Sequence, residues 1–397
     1  MVDSRTGRRR PIKSSSKKRP VNTRIPDKKK TVKIGELDFT FLTLVIVIVC
    51  VGLVMVLSAS SPRALRLTGD SFHFFKKQFL FAVVGFVLMI VISRIDYKRY
   101  EKYVGIFMIG CLILLALVLI PGVGVMHNGS RRWLPLPGFE LQPSEFMKPV
   151  IAMFIAKMVQ DKAYNPAKLS GMLKLFIWIG ITALLMLLET HLSGAVVICG
   201  IAVVVMLAAG MKLRYFIVGG IALAPIAYTY VMNDPVRSKR IMVALNPFLD
   251  KQGTGYQAVQ GLYSIASGGL FGQGLGQSIQ KTSFLPEPYN DFIFAVVCEE
   301  LGLLGALLVI ALFCALIIRG LMIAIHAPDT FSSLTVVGIM SHIAIQTLFN
   351  ICVVATIIPN TGITLPFFSY GGTAIIVLMA EMGIVLNISR HRVRNKS

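Results

Sequence analysis

The chain has 397 residues, 55% of them hydrophobic and 15% charged, with a formal net charge of +21. A soluble domain carries roughly 25% charged and about 45–50% apolar residues, so a soluble enzyme, a disulfide-rich secreted module and a soluble DNA-binding domain are excluded. Residues 1–35 hold thirteen Lys/Arg against Asp3 and Asp27, and residues 390–397 hold four more with no acid, so fifteen of the twenty-one charges lie in two tails. A nucleic-acid partner, which requires basic residues spread over a folded face, is not expected.

The 1–35 segment is basic and free of aromatic residues, and reads as a disordered tail. Near a membrane surface such a tail touches anionic lipid, and it has room to dock a cytoplasmic partner. Ten apolar segments follow, at 39–58, 75–93, 103–120, 143–158, 172–188, 192–210, 215–232, 292–318, 331–358 and 373–388. A bilayer core needs about 20 such residues per helix. These segments are apolar on all sides rather than alternating, which predicts helices and not barrel strands. Leu57-Ser58-Ala59-Ser60 imitates a signal-peptidase site, but the basic stretch before it is too long, so the first segment reads as an uncleaved span. With the N-terminus inside, 28 Lys/Arg fall on the inner side and 11 on the outer, as the positive-inside bias demands. Both tails are then cytoplasmic. The expected fold is an all-α polytopic bundle of about ten spans, covering 36–390 between tails at 1–35 and 391–397.

Residues 233–290, between the seventh and eighth spans, form an outer loop of 58 residues with eight glycines between Gly253 and Gly276. Loops of this length usually have a role. No GK[ST] follows the glycines, so a phosphate loop is not indicated; a re-entrant segment packed closely against the spans is expected. The six cysteines all lie inside spans with no close pair, and the six histidines are dispersed, so neither a disulfide framework nor a protein-held metal site is expected.

Ionisable residues in or beside spans point to function, and four clusters qualify. In Asn128-Gly129-Ser130-Arg131-Arg132-Trp133, two guanidinium groups suit phosphate, while Trp133 suits an interfacial anchor. In Gln142-Pro143-Ser144-Glu145-Phe146-Met147-Lys148, Pro143 opens a helix and Glu145 and Lys148 share one face, either as a structural ion pair or as part of a cavity for an anionic headgroup. In the stretch from Lys281 through Glu287 to Asp291, Asp291 enters the eighth span as a helix cap or as a general base tuned by Glu287 and Lys281. Glu299 and Glu300 lie deeper and need partners, with Lys148 or an arginine as candidates. In the uncharged loop 359–372, Ser369 and Tyr370 offer donors to a substrate, though simple loop packing explains them too.

Together these stretches resemble the SEDS family, the shape, elongation, division and sporulation proteins. The matching segments are NGSRRW, QPSEFMK, GYQAVQGLYSIASGGLFGQGLGQSIQK, LPEPYNDFIFAVVCEELG, TGITLPFFSYGG and LNISR, in family order. The resemblance implies a ten-helix bundle and a peptidoglycan glycosyltransferase that polymerises lipid II, an undecaprenyl-diphosphate-linked disaccharide peptide, on the outer face of the bacterial cytoplasmic membrane. It places the family's essential aspartate on Asp291 and its substrate-binding positions on Arg131, Arg132, Gln142, Ser144, Glu145 and Lys148, beside Lys281, Glu287, Ser369 and Tyr370. The diphosphate leaving group of such a reaction needs neutralising charge, which Arg131, Arg132, Lys148 or a divalent cation (Mg or Mn) without an evident protein cage could supply; the resemblance also implies a class B penicillin-binding transpeptidase, other divisome membrane proteins, and a place at the septum. The sequence is more similar to division-type members than to elongation-type ones. Two positions depart from the pattern: Glu189-Thr190-His191 stands where QPD is usual, and Pro288-Tyr289-Asn290 stands before Asp291 where Ala-His-Thr is usual. A lipid II flippase, a scaffold that only recruits the transpeptidase, and an elongation- or sporulation-type paralogue are the competing readings.

Overall fold

A computed structural model describes residues 35–127, 130–161, 169–253 and 255–391. The expected disorder of the basic N-terminal tail, apart from Gly35, and the C-terminal tail beyond His391 lie outside these described residues. The element order is α1 (Phe39–Thr68), α2 (His73–Arg94), α3 (Tyr97–Leu119), β1 (Val125–His127), β2 (Ser130–Leu136), β3 (Phe139–Leu141), α4 (Pro143–Gln160), α5 (Leu169–Leu188), α6 (Leu192–Ala208), α7 (Leu213–Met232), α8 (Pro235–Leu245), a 3-10 turn (Pro247–Asp250), α9 (Tyr256–Gly268), α10 (Gln280–Ser283), α11 (Ile293–Ile325), α12 (Thr330–Val354) and α13 (Gly372–Arg390).

Helices α1 to α7 and α11 to α13 coincide with the ten expected spans. Seven of them are long and apolar enough to cross a membrane by length and composition. Helices α5 and α6 contribute shorter apolar stretches, and α4 carries Glu145, Lys148 and Lys157 within an otherwise apolar run. Large apolar side chains stay exposed along the helix flanks, among them Leu80, Val87, Ile106, Leu307 and Leu308. In water such a surface would drive aggregation; against lipid tails it is the matched solvent. The chain is therefore a multi-pass membrane protein.

The helices have two ends. At one, Gly35 N–H donates to the Arg390 carbonyl at 2.7 Å, and the Asp38 carboxylate caps α1 while pairing with Arg319 at 2.9 Å. The opposite end carries the three-stranded antiparallel sheet, in order β1-β2-β3, and the α8–α10 segment. We call this second end the site end. Helix α12 packs against α4, α6, α11 and α13, and α13 packs most extensively against α2. Most of α13 and of α12 is buried, while none of the described α7 side chains is, so α12 and α13 form the centre.

Two features correct the sequence expectation. The stretch before α4, expected as an outer loop, is a sheet: Met126 pairs with Arg131 and Leu134 with Leu141, and Gly138, at φ 87°, makes the turn between β2 and β3. The 233–290 stretch is also more ordered than expected, since three helices and a 3-10 turn occupy much of it.

The expected close packing of the glycine-rich segment against a span is present, and it explains the glycines. Helix α11 breaks at Gly302, whose backbone adopts φ 68°, ψ −169°. The break strands backbone groups, and residues 268–274 satisfy them. Gln273 and Gly274 N–H donate to the Glu299 and Glu300 carbonyls at 2.9 and 3.0 Å, while Leu303 and Leu304 N–H donate to the Gly269 and Leu270 carbonyls at 2.9 and 3.2 Å. The approach is so close that a Cβ on Gly268 would collide with the Cys298 carbonyl. Irregular backbone at such depth persists only where the protein pairs it in this way.

Candidate active site

Asp291 lies at the site end, two residues before α11 begins, and is partly exposed. It does not cap the helix: Phe292 occupies the N-cap and no side chain makes a capping bond. Three consecutive carbonyls fix its backbone. That of Tyr289 accepts from Tyr370 N–H at 2.9 Å, that of Asn290 from Ser369 Oγ at 2.6 Å, and that of Asp291 from Asn350 Nδ2 at 2.7 Å. The same Asn350 amide donates to the Ile363 carbonyl at 2.7 Å. The 359–372 loop thus works as a clamp on the strand of chain that presents Asp291. Phe74 stacks on Tyr289 with centroids 4.7 Å apart and meets Tyr370 edge-on at 5.2 Å, completing the clamp from α2.

Burial pushes the Asp291 carboxyl up to about 6; its own backbone N–H opposes this, Glu287 raises it further and Arg240 lowers it. Glu287 is exposed, accepts from Asn290 Nδ2 at 2.8 Å and lies 3.7 Å from Arg63. A carboxyl in this range is poised to accept a proton near neutral pH, as a general base must be.

The Glu145–Lys148 pair forms as the spacing expects, Nζ to Oε1 at 2.7 Å, with both side chains buried. Lys148 Nζ also donates to Gln346 Oε1 on α12 at 3.1 Å. Gln142 precedes α4 as its N-cap without a side-chain cap bond. Ser144 Oγ and Glu145 Oε2 are buried with no hydrogen-bond partner among the described residues.

Arg131 and Arg132 lie on β2 and are half-buried. The Arg132 guanidinium donates to the Thr190 carbonyl at 2.6 Å, which brings the β2 cluster to the departing α5–α6 corner. There Glu189 and His191 are buried. Burial pushes the Glu189 carboxyl up to about 8 against the pull of Arg132. Burial, helped by Arg132 and Lys148, holds the His191 imidazole well below its ordinary value. Both Glu189 oxygens, His191 Nδ1 and Arg132 Nε lack hydrogen-bond partners among the described residues. Buried polar atoms are rarely left so; together with those of Ser144 and Glu145 they suit a polar ligand or bound water.

Arg240 was not legible as a site residue. It acts on the carboxyl of Asp291 and on the guanidinium of Arg132, and donates to the Asn360 carbonyl at 3.3 Å. It therefore links the two clusters electrostatically. The signal in the sequence is Asp234-Pro235 followed by Arg237, Lys239 and Arg240, a capped basic helix; Asp234 indeed accepts from Val236 and Arg237 N–H.

Other expectations change. Lys281 is not a free cation at the site. It is buried and bonded to Glu300 at 2.5 Å and to Ser58 Oγ at 2.9 Å, because α10 folds back between α1 and α11. The partners of Glu299 are Ser278 Oγ at 2.5 Å and the Ile279 and Gln280 N–H groups, so neither glutamate meets Lys148 or an arginine. Ser369 uses its hydroxyl internally, donating to Asn290 and accepting from Leu365 N–H at 2.8 Å, and with Tyr370 it belongs to the clamp. All six cysteines are free. Among the described residues no three His, Cys, Asp or Glu side chains converge as metal ligands.

Comparison with known proteins adds the following. The FtsW, RodA and SpoVE family model, described as "Cell cycle protein", matches residues 38–394. The chain is 41% identical over 362 residues to "Stage V sporulation protein E" of Bacillus subtilis (strain 168), covering 91% of this chain and 99% of that protein. It is 39% identical over 359 residues to the "Probable peptidoglycan glycosyltransferase FtsW" of Geobacter metallireducens, covering 90% and 96%. Among solved structures, a chain described under "Structural coordination of polymerization and crosslinking by a peptidoglycan synthase complex" aligns with TM-score 0.76 at 28% identity, over 90% of this chain and 99% of that one. The Thermus thermophilus Rod shape determining protein RodA aligns with TM-score 0.68 at 26% identity, over 90% and 98%.

Proposed function

The chain belongs to the FtsW, RodA and SpoVE family of cell cycle proteins, and on that premise we propose that it is a peptidoglycan glycosyltransferase polymerising lipid II during septal wall synthesis. The observation that carries the chemistry is Asp291, clamped through three consecutive carbonyls with its carboxyl held near 6. Asp291 takes the proton from the acceptor sugar hydroxyl as that oxygen attacks the anomeric carbon of the donor. General base catalysis of this kind contributes typically about 10²–10⁴-fold. The donor's polyprenyl diphosphate leaves as a stable anion, so it needs neutralising charge more than a proton. Arg131, Arg132, Arg240 and Lys148 supply that charge. A divalent cation bound to the diphosphate would add to this neutralising charge.

The site end faces outward and both tails face the cytoplasm, in keeping with the Lys/Arg distribution. The lipid tails of donor and acceptor then lie along the apolar flanks while their headgroups meet at Asp291. The partners are a class B penicillin-binding transpeptidase, which cross-links the new strands, and other divisome membrane proteins. The resemblance to a chain from a peptidoglycan synthase complex supports the first of these.

The test is polymerisation of lipid II by the purified protein with a divalent cation. Wild type is expected to give glycan strands and Asp291→Asn none; polymerisation by Asp291→Asn at the wild-type rate would remove the base assignment. The 41% identity to a sporulation protein keeps a sporulation role in view, and a deletion strain that divides normally but fails to build spore wall would establish it.

A further inference from the structure

Three side chains on one face of α12, His342, Gln346 and Asn350, follow each other at single-turn spacing, and all are buried. Each reaches a different part of the molecule. Asn350 holds the Asp291 and Ile363 carbonyls. Gln346 Nε2 donates to the Thr364 carbonyl and to its Oγ1, each at 3.0 Å, while its Oε1 accepts from Lys148 at 3.1 Å. His342 Nε2 lies 2.7 Å from the same Gln346 oxygen, and its Nδ1 lies 3.1 and 3.0 Å from the two oxygens of Glu381. Glu381 sits midway along α13 and His342 midway along α12. Ionisable side chains so deep in a span are rare and call for an explanation.

The protons can be placed by elimination. The Lys148 ammonium only donates, so the Gln346 atom facing it is the oxygen. The Thr364 carbonyl only accepts, so the Gln346 atom facing it is the nitrogen. Both ends agree and the amide has one orientation. Its oxygen cannot donate, so His342 Nε2 carries a proton. One further proton then lies between Nδ1 and Glu381, on either atom, and the pair has no net charge. Glu381 thereby fixes which imidazole nitrogen faces Gln346, as carboxylates do for histidines that must present one defined nitrogen.

We propose that His342, held by Glu381, is a positioning residue for the transfer reaction. Through Gln346 it fixes the place of Lys148, which neutralises the diphosphate of donor and product. This rests on the reading of Lys148 as a diphosphate-binding cation. His342 and Glu381 touch no substrate themselves, and what the pair supplies is a hydrogen-bond donor of fixed direction, not a charge.

That distinction makes the test specific. In Glu381→Gln the new side chain can still donate to Nδ1, so Nε2 keeps its proton. In Glu381→Leu it cannot, and the imidazole is free to present the wrong nitrogen to Gln346. Affinity for undecaprenyl diphosphate and kcat/KM for lipid II polymerisation are measured on the full chain in detergent, with Tm alongside. A hydrogen bond to a charged group is worth about tenfold or more in affinity, so Glu381→Leu is expected to weaken diphosphate binding and kcat/KM by about tenfold, and Glu381→Gln by less than about twofold. Equal binding by both variants, or equal loss in both, overturns the proposal, as does a loss in Glu381→Leu that disappears once Tm is matched by a stabilising lipid. The binding arm needs no turnover. If wild type makes no polymer, the glycosyltransferase reading fails while the binding comparison still decides the role of His342.

Discussion

Lys281 and Glu300 form a 2.5 Å ion pair in the interior, with Ser58 of α1 hydrogen-bonded to both. The contact joins α1, α10 and the segment of α11 that precedes the break at Gly302. Removing one partner leaves a buried charge without compensation, which typically costs about 3–5 kcal/mol. Lys281→Ala is therefore expected to lower Tm sharply in detergent, and the double variant Lys281→Met, Glu300→Leu to recover most of the loss. An unchanged Tm in Lys281→Ala would show that the pair does not hold the segment packed against α11.

A base must be ionised to act. With the Asp291 carboxyl raised to about 6 by burial, kcat/KM for polymerisation is expected to rise with pH through about 6 and to level above it. An acid limb at the ordinary aspartate value near 4 would contradict the burial seen here.

Arg240 favours the ionised form of Asp291. Its replacement raises the Asp291 value, so in Arg240→Gln the acid limb of the profile moves to higher pH. Because its charge also acts on the Arg132 guanidinium, KM for lipid II is expected to rise as well. An acid limb identical to wild type would separate Arg240 from the base.

The same shift makes a statement about stability. In the folded state the Asp291 carboxyl lies above its ordinary value of 3.8, so the folded protein prefers the protonated form. The ionised carboxyl then destabilises the fold fully above about pH 6, and this penalty vanishes below about 4. Raising the carboxyl from 3.8 to about 6 corresponds to roughly 3 kcal/mol. Asp291→Asn is expected to raise Tm at pH 8 and to leave it unchanged at pH 4; the opposite pH trend would be inconsistent with a raised value.

Gly302 adopts φ 68°, and a Cβ there would collide with the Gly272 N–H and the Leu270 carbonyl. Gly302→Ala is expected to abolish accumulation of folded protein, or to destabilise it by several kcal/mol as judged by fluorescence-detected size exclusion. Gly105→Ala, at a position where a Cβ meets nothing within 4 Å, is the control.

Much of the architecture was legible because span-length apolar windows carry their own signal. The Glu145–Lys148 pair was legible because three residues on one helix share a face. The sheet was missed because β1 and β3 are three residues each, too short for a period to show, although Asn128-Gly129 and Pro137-Gly138 are turn-forming pairs. The break in α11 was missed because one glycine in an apolar run is common; only its encounter with residues 268–274 makes it necessary.

The sequence by itself determined the membrane class, the helical order and the aspartate at the mouth of the eighth span, since each depends on local composition, spacing or a contiguous motif. The tertiary structure decided which charges remain available. Lys281 is separated from Ser58 by 223 positions and His342 from Glu381 by 39, and no local pattern joins such pairs. Burying a charge in a span requires a partner, and the partner is chosen by helix packing. That packing took Lys281 out of the site, brought Arg240 into it, and placed a neutral imidazole–carboxyl pair behind Lys148.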